Sequence, residues 1–504
     1  MRSKKAIYNI ITNFILQLIV IINGFVIPKL IISKFGSAVN GLTASITQFL
    51  SYITLLEAGF GPVVKSVLYK PIAKKNKDEI LNILKSSEKF FRIIALIFLG
   101  YIVLLTGIYP FLINNEFGHF YTMSLIVIIS ISTFVEYYFG MTYTLFLQAE
   151  QKNYIISIIR TAIYIFNIIT ILILIKLTAS IHLIKAVTGL LFIIRPIVQN
   201  IYVKRKYNIY LKNIKENYKI KQKWEGLAQH IAYIIHTNTD ITLLTLFCTL
   251  SEVSVYSVYA MVMNGIKNII QVFSSSIDAS FGDMIAKDEK NNLNKKFNIY
   301  EVIYFTIATI FCISTLILIN PFVKVYTKGI TDTNYVRYAF GYLLVIGEFI
   351  WLIRQPYNKI IQAAGHFRET RNGAWIEAGS NILISIILIF KFGIVGVAIG
   401  TAVAMTIRTI EFVYHTNKYI LNRKIINSMN KIVLIIFETI FIFFVSSYIP
   451  LLENNSYINW FINAIEISSI TVVVVLSLNW IFYKKEFKDF LQILKGVFKI
   501  KKTN

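Results

Sequence analysis

Apolar runs of about twenty residues recur from one end of this chain to the other, each long enough to cross a ~30 Å hydrocarbon core as a helix. A water-soluble fold does not need such runs throughout 504 residues, 56% of them hydrophobic. The runs lack the alternation of a strand, which excludes a β-barrel. The fold class that follows is all-α, a polytopic membrane protein. Spans are predicted at 8–32, 41–68, 90–113, 121–148, 154–176, 183–203, 226–248, 255–282, 299–322, 336–363, 374–391, 394–415, 432–450 and 459–482, about fourteen in all.

The net charge of +25 would raise nucleic acid as a partner for a soluble protein. Here the aromatic–basic interleaving of an RNA binder is absent, and the charge sits between the spans. Lys70, Lys74, Lys75 and Lys77 fall in one loop, Lys204, Arg205 and Lys206 in another, and Lys418, Arg423 and Lys424 in a third. The opposite loops, such as NNEFGH, TLSEVS and LENNSY, carry almost no Lys or Arg. The positive-inside rule then places both termini in the cytoplasm, consistent with an even number of spans in a bacterial inner or plasma membrane. The basic, then apolar start reads as an uncleaved first helix. Cys248 and Cys312 both lie in apolar runs and mark neither a disulfide framework nor a metal site.

The expected organisation is a six-helix bundle over 1–203, a basic cytoplasmic linker over 204–224 and a second six-helix bundle over 225–416. Two additional spans follow over 417–483, then a basic amphipathic tail over 484–504. In that tail Phe487, Phe490, Leu491, Leu494, Val497 and Phe498 share one helical face, which suits the inner leaflet or, less simply, a partner protein. A faint internal repeat relates the two bundles. Leu147-Gln148-Ala149 matches Ile361-Gln362-Ala363 at an offset of 214, which also sets Val39 on Val253. An offset of six spans keeps the repeats parallel, about an axis along the membrane normal.

Polar residues interrupt particular spans. Asn9, Asn13 and Gln17 share a face of the first; Thr43, Thr47, Ser51, Thr54 and Glu57 mark the second; Asn264, Lys267, Asn268, Gln271, Ser275 and Asp278 mark the eighth. The uncharged members serve equally as helix–helix hydrogen bonds or as a wet surface. In the seventh span, Gln229, Tyr233, His236 and Asp240 fall on one stripe. A carboxylate at mid-span costs about 2.5–3.5 kcal/mol to insert, so Asp240 should face protein or water. His236 either relays protons with it or packs as a hydrogen-bonded histidine. Glu57, Glu136, Asp240, Arg195 and Arg354 lie deep enough to face a cavity. Arg160, Glu377 and Arg408 lie close enough to the cytoplasmic surface for snorkelling, and Asp278 is deep or interfacial.

Arg354 shares its face with Trp351 and Asn358, and Pro356 should kink the helix there. A guanidinium offers a planar fork of donors suited to phosphate. Arg195, Arg354, Asn358, Gln17 and Asn13 are therefore the candidates for holding an anionic, phosphorylated headgroup. Asp240, Glu57, Glu136, His236 and Asp278 are the candidates for cavity charge or ion coupling, driven by a proton or Na⁺ gradient, with no other cofactor and no catalytic or metal site.

Four stretches resemble a known family: FGSAVNGLTASITQFLSYITLLEAGFGPVVKS after the first helix, LFLQAEQKNYI, NTDITLLTLF and KFGIVGVAIGTAV. With two six-helix bundles and two extra helices, the chain resembles the multidrug/oligosaccharidyl-lipid/polysaccharide (MOP) exporter superfamily, and within it the Wzx-type polysaccharide flippases. The resemblance implies a flippase that moves undecaprenyl-diphosphate-linked oligosaccharide from the inner to the outer leaflet by alternating access. It implies membrane lipids as surroundings, glycosyltransferases and a polysaccharide polymerase as partners, and a monomer as the working unit. Family cavities are cationic; Arg195 and Arg354 fit that pattern, whereas Asp240, Glu57 and Glu136 make this one mixed. The alternative is a cation-coupled multidrug or metabolite antiporter of the same superfamily. An enzyme of polymer assembly would want a large outer loop or an Asp-x-Asp metal motif, and the chain has neither.

Overall fold

A computed structural model describes residues 2–57, 59–113, 116–211, 227–274, 278–453 and 455–500. Most of the expected linker, 212–224, lies outside them. Of the described residues, 87% are helical and none lies in a strand. Its contacts divide it into two compact units, Met1–Ser257 and Val258–Asn504.

The first unit holds α1 (Arg2–Phe35), α2 (Ser37–Ser51), α3 (Thr54–Glu57), α4 (Phe60–Lys74), α5 (Lys77–Leu112) and α6 (His119–Val135). A π-helical turn, Glu136–Gly140, joins α6 to α7 (Met141–Ala149); α8 (Asn153–Lys176), α9 (Ile181–Tyr207), α10 (Leu227–Phe247) and the start of α11 (Leu250–Ser274) complete it. α1 packs along α8, α6 against α5 and α9, and α10 against α2 and α3. Asn9 ties α1 to the start of α8, donating to the Gln151 carbonyl and accepting from the Tyr154 amide.

The second unit holds the rest of α11, then α12 (Asp278–Ala286), α13 (Lys290–Tyr326), α14 (Tyr338–Ala364), α15 (Arg371–Phe392) and α16 (Ile394–His415). Three more helices follow: α17 (Ile426–Ser446), α18 (Tyr457–Phe482) and α19 (Lys484–Ile500). α13 is its centre. It packs against α14, α17, α18 and α19, and 72% of its most apolar stretch is buried, where the other long apolar helices have 11–56%. Phe297, Phe305 and Cys312 of α13 meet Leu352, Tyr357 and Phe412 in a continuous apolar core.

Among the described residues, ten helices are long and apolar enough to cross a membrane. α10, α11, α14 and the stretch α2–α4 are not among them. These are the segments in which sequence places Asp240, Lys267, Arg354 and Glu57, although Glu136, Arg195 and Arg408 lie in helices that are among the ten.

The expected single span 41–68 is instead broken. α2 stops at Ser51, α3 makes one turn, and α4 starts after Gly59. The hydroxyls of Ser51 and Thr54 turn back to carbonyls three residues earlier, and Gly59 takes φ +76°, a left-handed geometry that a side chain would strain. Non-helical backbone at membrane depth is tolerated where protein or a cavity surrounds it. In the related span 255–282, α11 is described to Ser274 and α12 from Asp278, and 275–277 lie outside the described residues.

Candidate functional site

The first unit gathers its charges where α3, α5, α9 and the π turn meet. A π turn inserts one residue per turn and is found frequently at functional sites. Here it directs Glu136 at α9, where Arg195 donates through Nη2 to Glu136 Oε1 at 2.9 Å. Gly140 closes the turn, and a Cβ there would lie 2.8 Å from the Pro196 Cβ; the missing side chain is what lets α9 come close. The next residue of the turn, Tyr137, donates its hydroxyl to Glu57 at 3.3 Å. Glu57, Tyr137, Glu136 and Arg195 thus form one cluster drawn from three distant stretches of sequence. The Arg195–Glu136 pair is semi-enclosed, its side chains 19% and 18% exposed. Arg195 Nε is buried with no hydrogen-bond partner among the described residues, so the guanidinium keeps an unused donor.

Asp240 lies elsewhere in the same unit. It is buried on α10 and accepts a hydrogen bond from the Tyr256 hydroxyl at 2.9 Å. Its neighbours are polar too: Thr242 meets Tyr52, and Thr245 meets Ser45, which also accepts from Tyr109. The stripe expected on this helix does not have a single environment, since Tyr233 is half exposed while Asp240 is enclosed. The side chains of Gln229 and His236 lie outside the described residues. Asn13 and Gln17 are half-buried on α1.

In the second unit Arg354 is committed to protein. It pairs with Glu377 at 2.5 Å, and Arg408 reaches the other oxygen of Glu377 at 3.5 Å while also binding Glu411 and the Thr370 carbonyl. Both guanidinium groups lie over the Phe412 ring, at 5.7 and 4.2 Å. Arg354, Arg408 and Glu377 are each at most 6% exposed, so Glu377 and Arg408 are not snorkelling. Two cations and two anions leave this network neutral, a stable latch among α14, α15 and α16 rather than an open clamp. Asn358 sits at its edge, donating to Gln355 and accepting from Gln362. Nearby, Lys267 pairs with Glu348 at 2.9 Å and lies over the Trp351 ring. The side chain of Asp278 lies outside the described residues.

Two buried acids escaped the sequence reading. Glu301 on α13 is fully buried and is held by Lys431, by Arg423 at 2.8 Å, by Ser428 at 2.7 Å and by Tyr357 at 2.5 Å. Glu438 on α17 is also fully buried and accepts from Asn479 on α18 at 2.6 Å. Glu301 fastens α17 to α13, and Glu438 fastens α17 to α18. The available signal was a single acid in each otherwise apolar run.

No protein-family model matches the sequence, and no curated protein matches it either. Solved structures do resemble the fold. The lipid II flippase MurJ, in an inward closed conformation, superposes with a TM-score of 0.67 at 16% identity, over 94% of this chain and 99% of that one. An inward-facing multidrug resistance MATE family transporter of the MOP superfamily gives 0.59 at 13% identity, over 81% and 98%. A MOP superfamily transporter from Pyrococcus furiosus, described as having a binding pocket of reversed polarity, gives 0.54 at 13%, over 84% and 96%. The fold is therefore similar to that of these proteins.

Proposed function

We propose that this chain is a Wzx-type flippase that carries undecaprenyl-diphosphate-linked oligosaccharide from the cytoplasmic to the outer leaflet of the cell membrane by alternating access, for cell-surface polysaccharide synthesis. The observation that supports this reading best is the reach of the likeness to a lipid flippase, which takes in 94% of this chain and 99% of that one. The loop charges support cytoplasmic termini.

In this proposal Arg195 is the residue that meets substrate phosphate. Its partner Glu136 competes for it in the resting state, and a proton taken up by Glu136 releases the guanidinium, so proton entry and headgroup binding go together. Asn13, Gln17 and Asn358 add uncharged donors, and Arg354 contributes only where its latch to Glu377 opens. Asp240, Glu57, His236 and Asp278 carry the remaining ion coupling, to protons or Na⁺. The product would pass to a polysaccharide polymerase, after glycosyltransferases have built the cargo on the cytoplasmic side.

The second reading, a cation-coupled multidrug or metabolite antiporter, draws on the MATE likeness and on the pairing of Arg195 and Arg354 with carboxylates. One experiment separates the two. Depleting the protein should trap lipid-linked oligosaccharide on the cytoplasmic leaflet and strip surface glycan. Unchanged glycan together with raised sensitivity to cationic compounds would replace the flippase by the antiporter.

A further inference from the structure

At the end of the second unit from which α19 departs, a polar cavity of about 680 Å³ opens between α13, the first turn of α17 and the α18–α19 junction. Lys295, Arg423, Lys431 and Lys485 line it, with Glu486 and Asp489 as the acids at its rim. Each acid is engaged already: Asp489 by Lys295 at 3.1 Å, and Glu486 by the Asn298 amide at 2.6 Å. Beneath the floor, Glu301 takes Arg423 and Lys431. Four cations against three carboxylates leave one positive charge in excess. Lys485 has no ion-pair partner among the described residues, and the Asn427 and Asn430 side chains line the mouth at the positive end of the α17 dipole.

On the other flank of α19 lies an apolar groove of about 400 Å³, walled by Phe281, Ile303 and Ile307 on one side and Phe490 and Ile493 on the other. Ile299 lines both spaces, so they adjoin. Lys296 lines the groove, again without an ion-pair partner among the described residues. The height is that of lipid headgroups, because the apolar span α18 ends at Phe482 and α19 begins two residues later. Trp480 meets Phe487 across that turn at 5.9 Å, an aromatic contact of the kind found at membrane interfaces.

We propose that this is a site for one anionic phospholipid, with its phosphate headgroup in the polar cavity and an acyl chain in the groove, held under α19. A single excess positive charge suits a headgroup with a single negative charge, and basic pockets between membrane helices bind such headgroups. A surface helix alone would need only a basic face. Here the cations line a cavity behind that face, next to an apolar channel. The bound lipid joins α13, α17 and α19, and it does so whatever cargo the transporter moves.

The test uses the full chain purified in detergent and titrated with phosphatidylglycerol or phosphatidylcholine under native mass spectrometry. The parent should retain one phosphatidylglycerol in preference to phosphatidylcholine, and millimolar inorganic phosphate should not displace it. Lys485→Glu should cut retention about tenfold, the scale of one lost charge-assisted contact. Ile303→Trp, which fills the groove and leaves the cations in place, should cut it comparably. Equal retention of the two lipids, displacement by free phosphate, or full retention in both variants would overturn the site.

Discussion

Arg354 and Glu377 lie 23 positions apart in sequence and 2.5 Å apart in space, each nearly sealed from solvent. Removing either one leaves the network with Arg408 and Glu411 carrying one uncompensated buried charge, at a cost of about 3–5 kcal/mol. Arg354→Ala should therefore lower the unfolding temperature in detergent sharply, and so should Glu377→Ala. The double variant should lose much less than the sum, because Arg408 and Glu411 then remain as a neutral pair. Additive losses would show that the two do not act as a pair. Arg195 is expected to behave differently. It is more exposed and has an unused donor, so Arg195→Ala should keep the protein folded while depressing lipid-linked saccharide export at least tenfold, the weight of one charge-assisted contact. Normal export in that variant would remove Arg195 from the substrate path. Both residues read alike in sequence, as arginines deep in apolar runs; only their partners tell a latch from a candidate contact.

At the scale of elements, helix positions were legible because burial in lipid imposes an apolar run on each one. The expected spans 154–176, 374–391 and 394–415 fall within a few residues of α8, α15 and α16. The break within 41–68 was not legible, although Gly59, Gly61 and Pro62 punctuate it, because glycine and proline are common in intact membrane helices as well. The π turn at Glu136–Gly140 left no mark at all in the periodicity of 121–148. Its spatial consequence is testable. In Gly140→Ala the new methyl would lie 2.8 Å from the Pro196 Cβ and 3.1 Å from the Glu136 Cδ, so α9 must retreat and the Arg195–Glu136 pair must loosen. Gly100→Ala on α5 meets no atom within 4 Å and should be neutral or stabilising by up to about 1 kcal/mol, the ordinary helix gain. Thermal unfolding of the two variants side by side checks the difference; equal behaviour would mean the close approach at Gly140 has no energetic weight.

At the scale of the molecule, the last helices are tied to the second unit through charge as much as through apolar packing. Glu301 has both its basic partners, Arg423 and Lys431, beyond the end of α16. A chain ended after Leu421 should leave that carboxylate enclosed and unpaired, and protein should vanish from the membrane fraction. Adding Glu301→Gln to the truncation should restore a measurable part of it, whereas no recovery would assign the loss to packing alone. In the proposed flippase, coupling to an ion gradient would also be a property of the whole molecule. Asp240→Asn keeps the shape and an acceptor for the Tyr256 hydroxyl but loses the titratable group. Export should then no longer respond to an imposed proton or Na⁺ gradient, measured against the parent in vesicles. Retained gradient dependence would make Asp240 a packing residue.

Sequence alone determined that this chain is an all-helical membrane protein and which of its spans carry polar groups, since both properties are local: twenty apolar residues make a span, and one carboxylate within them is visible by itself. Tertiary structure decided what each charge is paired with. Arg195 meets Glu136 across 59 positions, Lys431 meets Glu301 across 130, and Tyr137 meets Glu57 across 80. In a medium that leaves no buried charge unanswered, the partner matters as much as the residue. No helical period reaches across such distances; only the packing of helices against one another brings these side chains together.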